Sequence, residues 1–320
     1  MPTNQENKRD LLSLSDVTPS EIQRLFSRAA TLKKAVKTGT VTHTLKGRTL
    51  GMIFEKPSSR TRVSFEVGMF QLGGHALFLS SKEIQLGRGE KISDSAQVFS
   101  RYLDGLMVRT FAHDNIVTMA KYASIPVING LSDDFHPCQV LTDLFTYQEK
   151  RGSLEGRKVA WIGDGNNMAH SWIMATSKVG CHLTLACPTN YEPNPKVMAQ
   201  AQKEIEAEGQ GSVQLTGDPR EAARGADLVI TDTWTSMGQE AERERRLRAF
   251  EGFCVNSAMM KEAKPDALFM HCLPAHRGEE VSSDVMDGPQ SVIWDEAENR
   301  LHVQKAILEW LLGYGLEKKI

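Results

Sequence analysis

The stretch Phe54-Glu-Lys-Pro-Ser-Ser-Arg-Thr-Arg62 brings together the hydroxyls of Ser58, Ser59 and Thr61 and the guanidinium groups of Arg60 and Arg62. Hydroxyls donate hydrogen bonds, and arginine keeps its charge at any physiological pH. An apolar run of strand length, Thr49-Leu-Gly-Met-Ile-Phe54, precedes them, and the spacing of Val63, Val67 and Phe70 suits one face of a helix. The polar residues therefore occupy a strand-to-helix turn, where the first backbone N–H groups of the helix lack internal partners. Amides, hydroxyls and guanidinium groups converging on one point make a receptacle for phosphate. The same residues would also make a capped helix with two solvated arginines.

Other polar groups fall at comparable places. Arg109 sits near the end of the buried run Gly105-Leu-Met-Val-Arg-Thr110, where a cation must be paired or face a cleft. His136-Pro-Cys-Gln139 opens a helix made amphipathic by Val140, Leu141, Leu144 and Phe145, with Pro137 suited to its first turn. Gln139, about one turn from His136, is placed to read an amide, although His136 alone is also an ordinary capping residue. Gly163-Asp-Gly165 invites a dinucleotide reading, but Met168 replaces the third glycine and the next strand ends in Ala186-Cys-Pro188 without an acid for a ribose. Asn166 and Asn167 better suit a carboxylate or another small anion. The Ser58–Arg62 run lacks the glycine and lysine framework of a nucleoside triphosphate loop. His136/Cys138 and His271/Cys272 form no recognised zinc pattern, so no metal is expected.

The elements that position these groups alternate. A helix over 16–37 starts at Thr-Pro-Ser-Glu; strands are expected at 49–54, 76–79, 105–110 and 125–129, with a polar loop at 80–91 and a helix at roughly 93–103. After the polar boundary 152–158 the pattern restarts, with strands at 159–162, 182–186, 226–231 and 267–270, a helix ending at Gly180, and a last helix at about 301–313. The charged run Glu240–Arg248 reads as a solvated helix face. This alternation predicts an α/β protein of two doubly wound parallel-sheet domains, 1–150 and 151–300, with the C-terminal helix of 301–320 packing back on the first. Residues 58–62, 109, 136–139, 167, 232–237 and 271–273 all fall at strand ends, where open α/β sheets bind ligands, and an interdomain cleft would gather them.

With 320 residues the chain exceeds a single core, and its net charge of −2 argues for neither nucleic acid nor an anionic membrane as partner. Five cysteines without a CxxC pair fit a reducing compartment. No apolar run approaches membrane-spanning length, and the polar start resembles no targeting segment. A cytoplasmic protein is expected.

Taken together and in order, Ser58-Ser-Arg-Thr-Arg62, Val108-Arg-Thr110, His136-Pro-Cys-Gln139, Asp164-Gly-Asn-Asn167, Asp232-Thr-Trp-Thr-Ser-Met-Gly238, His271-Cys-Leu-Pro274 and Glu298-Asn-Arg300 resemble the carbamoyltransferase family over nearly the whole length, most closely its ornithine branch. The Ser-Met-Gly element separates ornithine users from the aspartate branch, and Ser59 stands where the family usually has Thr. The resemblance implies that Ser58, Ser59, Arg60 and Thr61 hold the phosphate of carbamoyl phosphate. Thr61, Arg109 and His136 would polarise its carbonyl, Gln139 would take its NH₂ group, and Arg300 would turn toward it. Gln85 would reach the phosphate of a neighbouring subunit, implying a homotrimer with shared sites. Asn167 and the Met237 backbone would take the ornithine α-carboxylate, and Asp232 and Ser236 its α-amine. Cys272 and the Leu273 carbonyl would lie by the δ-amine. The implied products are citrulline and phosphate, within arginine metabolism and without an organic cofactor. An amine with pKa about 10.4 costs roughly 4–5 kcal/mol to capture neutral at pH 7, so the site must favour the uncharged δ-amine. Alternatives are a carbamoyltransferase for putrescine, opposed by Asn167 and the Ser-Met-Gly turn; an NAD-dependent oxidoreductase, opposed by the missing glycine and acid; and a non-catalytic anion-binding relative, opposed by the presence of Arg60, Arg109, His136 and Gln139.

Overall fold

The computed structural model describes residues 8–81 and 89–313. Contacts divide the chain into one unit built from residues 1–141 and 298–320 and a second from 142–297. In chain order the first stretch contains α1 (Pro19–Lys37), β1 (Thr49–Phe54), α2 (Ser59–Gln71), β2 (His75–Ser80), α3 (Ile92–Phe99), β3 (Gly105–Arg109), α4 (His113–Tyr122), β4 (Val127–Leu131) and α5 (Pro137–Arg151). The second contains β5 (Lys158–Ile162), α6 (Asn167–Val179), β6 (His182–Ala186), α7 (Pro195–Glu208), β7 (Ser212–Thr216), α8 (Pro219–Ala223), β8 (Leu228–Thr231), α9 (Arg243–Ala249), α10 (Ser257–Met260), β9 (Leu268–His271) and α11 (Ser283–Met286). The last helix among the described residues is α12 (Ile293–Leu312), whose residues from Glu298 onward belong to the first unit.

Local signals explain many of the boundaries. Thr18 and Glu21 form a reciprocal capping box at the start of α1, Ser58 caps α2, and Asn166 caps α6. Gly180 ends α6 in the left-handed region, at φ 67°, where a Cβ would be strained. The helix after Lys91 stops at Phe99, because the chain turns at Ser100 rather than continuing toward 103. Sequence reading passed over β7, which is half exposed and carries Gln214 and Leu215 outward.

Both sheets are parallel. The first runs β2-β1-β3-β4 and the second β7-β6-β5-β8-β9. Buried side chains of β1, β3 and β4, including Ile53, Leu106, Val108 and Val127, pack with Ala96, Ile116 and Met119 in the first core. Ala160, Ile162, Val229 and Phe269 pack with Trp234, Phe250 and Val255 in the second. Strand order reverses between β1 and β3 in the first sheet and between β5 and β8 in the second, the positions where doubly wound sheets open a crevice at their carboxyl ends. The register sets Phe54 opposite Arg109, so the Ser58 turn and Arg109 leave the first sheet side by side. Thr231 lies opposite His271, so Asp232 and Cys272 leave the second sheet side by side.

Candidate active site

In the first unit, the turn after β1 delivers Ser58 as the N-cap of α2. Its hydroxyl accepts from the Thr61 N–H at 3.2 Å and donates to the Thr61 hydroxyl at 3.1 Å. Ser59 and Arg60 are exposed on the first turn, whereas Thr61 is buried. Arg109 is buried at the end of β3, its Nε donating to the Lys56 carbonyl at 3.2 Å. From α12, Arg300 Nη2 donates to Thr61 Oγ1 at 3.3 Å and Nη1 donates to Gln139 Oε1. His136 is buried just before α5, and its pKa is held well below the usual imidazole value, first by burial and then by the charges of Arg300 and Arg109. The structure thus brings Thr61, Arg109, His136, Gln139 and Arg300 together. His136 is a neutral ring there, able to donate one N–H. Gln85 lies outside the described residues.

In the second unit, the turn after β5 is built to carry α6. Gly165 passes so close to the 192–193 backbone that a Cβ would sit 2.3 Å from Pro193 N. Asn166 Oδ1 accepts from the Met168 and Ala169 N–H groups at 2.9 and 3.2 Å, while its Nδ2 donates to Asp232 Oδ2 at 2.8 Å. Asp232 Oδ1 accepts from the Thr233 N–H at 2.8 Å and from the Cys272 thiol at 3.1 Å. Burial, and then the Asp232 carboxylate, push the Cys272 pKa well above that of a free thiol, so the sulfur is an S–H donor. Sequence reading set Asp232 at one end of an amino acid and Cys272 at the other; the structure joins them by a hydrogen bond. Asn167 opens α6 beside this pair. Ser236 is half-buried, its N–H donating to Gln239 Oε1 at 3.1 Å, and Met237 is exposed. Leu273 adopts φ 60°, uncommon for a bulky residue, with its N–H donating to His271 Nδ1 at 2.9 Å.

Among the described residues, two triads have metal-like spacing, Asp232/His271/Cys272 and His276/Glu279/Glu280. Several of their ligand atoms are held in other contacts. His271 Nδ1 accepts from Leu273, which leaves Nε2–H to donate to Glu280 at 3.2 Å, and the Cys272 thiol keeps its proton. Glu279 pairs with Arg243, and His276 Nδ1 meets the Thr233 hydroxyl at 3.1 Å. The donor sets fit hydrogen-bond networks better than a cation.

The charged run 240–248 departs from a wholly solvated face. Arg246 is buried, with Nη1 2.8 Å from Asp164 Oδ2 and 3.0 Å from the Trp234 carbonyl, tying the glycine turn to the segment that leads into Ser236. Burial raises the Asp164 pKa to about 6, against the pull of Arg246. Sequence reasoning also passed over the Asn166–Asp232 bond. Its only local signal was an Asn at a helix start, a residue type that caps by itself.

The chain belongs to the aspartate/ornithine carbamoyltransferase family. Residues 9–149 match the family's carbamoyl-P binding domain and residues 155–311 its Asp/Orn binding domain. Within that family, the chain is 54% identical over 305 residues to the ornithine carbamoyltransferase of Hydrogenovibrio crunogenus, covering 95% of this chain and 98% of that one. It is 56% identical over 304 residues to that of Nitrosococcus oceani, covering 95% and 97%. The solved ornithine carbamoyltransferase of Pyrococcus furiosus superposes with a TM-score of 0.91 at 53% identity, covering 95% of this chain and 97% of that one. Among the described residues, no helix is long and apolar enough to cross a membrane.

Proposed function

We infer that this chain transfers the carbamoyl group of carbamoyl phosphate to the δ-amine of L-ornithine, giving L-citrulline and phosphate. One observation carries the reading most directly. Two buried guanidinium groups, Arg109 and Arg300, flank a neutral His136 beside the hydroxyl-rich start of α2. Such a cluster suits a dianion bearing a carbonyl.

The residue roles follow from that chemistry. Ser58, Ser59, Arg60 and Thr61 grip the phosphate at the α2 N-terminus, where exposed amides and a positive helix end face it. The Thr61 oxygen accepts from Ser58 and Arg300, so its own O–H is the group left to donate toward the carbamoyl oxygen. Arg109 and His136 donate to the same oxygen as negative charge grows on it, and Gln139, held by Arg300, accepts from the carbamoyl NH₂. Asp232 takes the ornithine α-amine with Ser236, and Asn167 and the Met237 backbone take the α-carboxylate. The Leu273 carbonyl and Cys272 lie by the δ-amine. The neutral δ-amine attacks the carbonyl carbon, the C–O bond to phosphate breaks, and the proton lost from the amine nitrogen goes to the departing phosphate, giving citrulline and hydrogen phosphate. The Ser236–Gly238 segment closes after carbamoyl phosphate binds and keeps water from the carbonyl.

We further infer a homotrimer acting in the cytoplasm in arginine biosynthesis. Support for assembly comes from apolar side chains left outward on the first unit: Val63 and Phe70 on α2, and Leu77 and Phe78 on the edge strand β2. In this assembly Gln85 reaches the phosphate of a neighbouring subunit. Light scattering at three times the chain mass of 35.6 kDa is the expected result.

The functional test is a citrulline-type colour assay with carbamoyl phosphate, offering ornithine, putrescine, lysine and aspartate in parallel. Product with ornithine alone is expected. Preference for putrescine would transfer the assignment to the diamine branch.

A further inference from the structure

We propose that Gln304 is a positioning residue for carbamoyl phosphate, holding Arg300 against the first turn of α2. This rests on the reaction inferred above but not on any role already given to Gln304. The residue is fully buried on α12. With its amide oxygen turned to Arg300, it accepts from Nη2 and Nε at 3.1 and 3.2 Å, and its NH₂ donates to the Ser64 hydroxyl. Ser64 in turn donates to the Arg60 carbonyl at 2.7 Å. Each donor in this series meets an acceptor. The opposite amide orientation would set the amide NH₂ against the guanidinium donors and the carbonyl against the Ser64 oxygen.

The spacing makes the connection a strip along two helices. Thr61, Ser64, Gly68 and Gln71 recur at helical intervals on α2, and α12 meets them with Arg300, Gln304 and Lys305. Lys305 Nζ donates to Gln71 Oε1 at 2.8 Å, and its Cγ would lie 3.3 Å from a Cβ at Gly68. Gln139 and Thr61 already hold Nη1 and Nη2 of Arg300. Gln304 adds the Nε edge, and a planar amide oxygen spanning Nε and Nη2 fixes the guanidinium plane from the α12 side. It sets that plane while bonded, through Ser64, to the residue whose side chain is placed on the phosphate. Orientation of Arg300 and of the α2 turn are therefore one adjustment.

The test compares Gln304→Leu, Gln304→Glu and Ser64→Ala in the full chain, with circular dichroism to establish folding. Gln304→Leu is expected to raise KM for carbamoyl phosphate about tenfold or more, the loss typical of a hydrogen bond to a charged group, while KM for ornithine stays within about twofold. Gln304→Glu keeps the acceptor and should recover most of that loss. Ser64→Ala should move the same constant in the same direction by about threefold. Inorganic phosphate affinity by titration calorimetry gives a readout independent of turnover, with about tenfold weakening expected in Gln304→Leu. Should the unaltered chain make no citrulline, the functional reading falls and the phosphate titration still decides this proposal. Phosphate affinity and carbamoyl phosphate KM within twofold of the unaltered chain in both Gln304→Leu and Ser64→Ala would overturn it, as would equal losses for both substrates. If Gln304→Leu does not fold, Ser64→Ala alone decides.

Discussion

The Cys272 thiol donates to Asp232 Oδ1 across 3.1 Å, and burial, with the carboxylate beside it, holds the sulfur protonated. A sulfur so held cannot be the acceptor of the amine proton near neutral pH. Above the Asp164 titration near 6, the pH dependence of the proposed reaction then belongs to the substrate amine, whose pKa is about 10.4. Log kcat/KM for ornithine is expected to rise with pH from 6 to 9, and Cys272→Ser should run parallel to the unaltered chain, because a serine hydroxyl does not titrate there. A serine variant with a flat profile would restore the thiol as the base.

Asn166 serves two partners with one amide, capping α6 and donating to Asp232 at 2.8 Å. Asn166→Ala is expected to cost about 1–2 kcal/mol of stability through the lost cap. It should also raise KM for ornithine while leaving that for carbamoyl phosphate unchanged, as steady-state kinetics with each substrate varied will report. Equal changes in both constants would mean that the residue acts only on the fold.

Gly165 has no room for a side chain, since a Cβ would lie 2.3 Å from Pro193 N and 2.4 Å from the Glu192 carbonyl carbon. Both obstacles are backbone and cannot rotate away. Gly165→Ala is expected to destabilise the protein by about 1–3 kcal/mol, read as a lowered urea midpoint. An unchanged midpoint would mean that the 192–193 segment yields.

His302 is buried on α12, and burial with the charges of Lys305, Lys33 and Lys37 lowers its pKa to about 3. Glu298 stands 3.7 Å away, too weak a counterweight to restore the charged form. The folded state therefore refuses a proton that the unfolded chain accepts below about pH 6.5. Its contribution is complete above that pH and declines as pH falls toward 3, at up to about 1.4 kcal/mol per pH unit. His302→Leu should flatten the loss of urea stability between pH 7 and 5. An equally steep loss in the variant would place the titration elsewhere.

The sequence made the strand ends legible because each apolar run stops where a polar signal begins. Phe54 gives way to Glu55, Ile162 to Gly163 and Ile230 to Thr231-Asp232, and those junctions carry the candidate site. Bonds between distant positions left no comparable trace. Arg246 reads as one charge among many until Asp164 meets it, and Gln304 reads as an ordinary helix residue until Arg300 does. The half-exposed strand β7 lacks the apolar run that marks a buried strand, so pattern alone passes over it.

In the proposed reaction the start of α2 holds the leaving phosphate. Arg60 is exposed there, so its truncation tests chemistry with little risk to the fold. Steady-state citrulline formation by Arg60→Ala, with folding verified by circular dichroism, is expected to fall about 10²–10³-fold in kcat/KM for carbamoyl phosphate. Turnover within a few-fold of the unaltered chain would contradict the account.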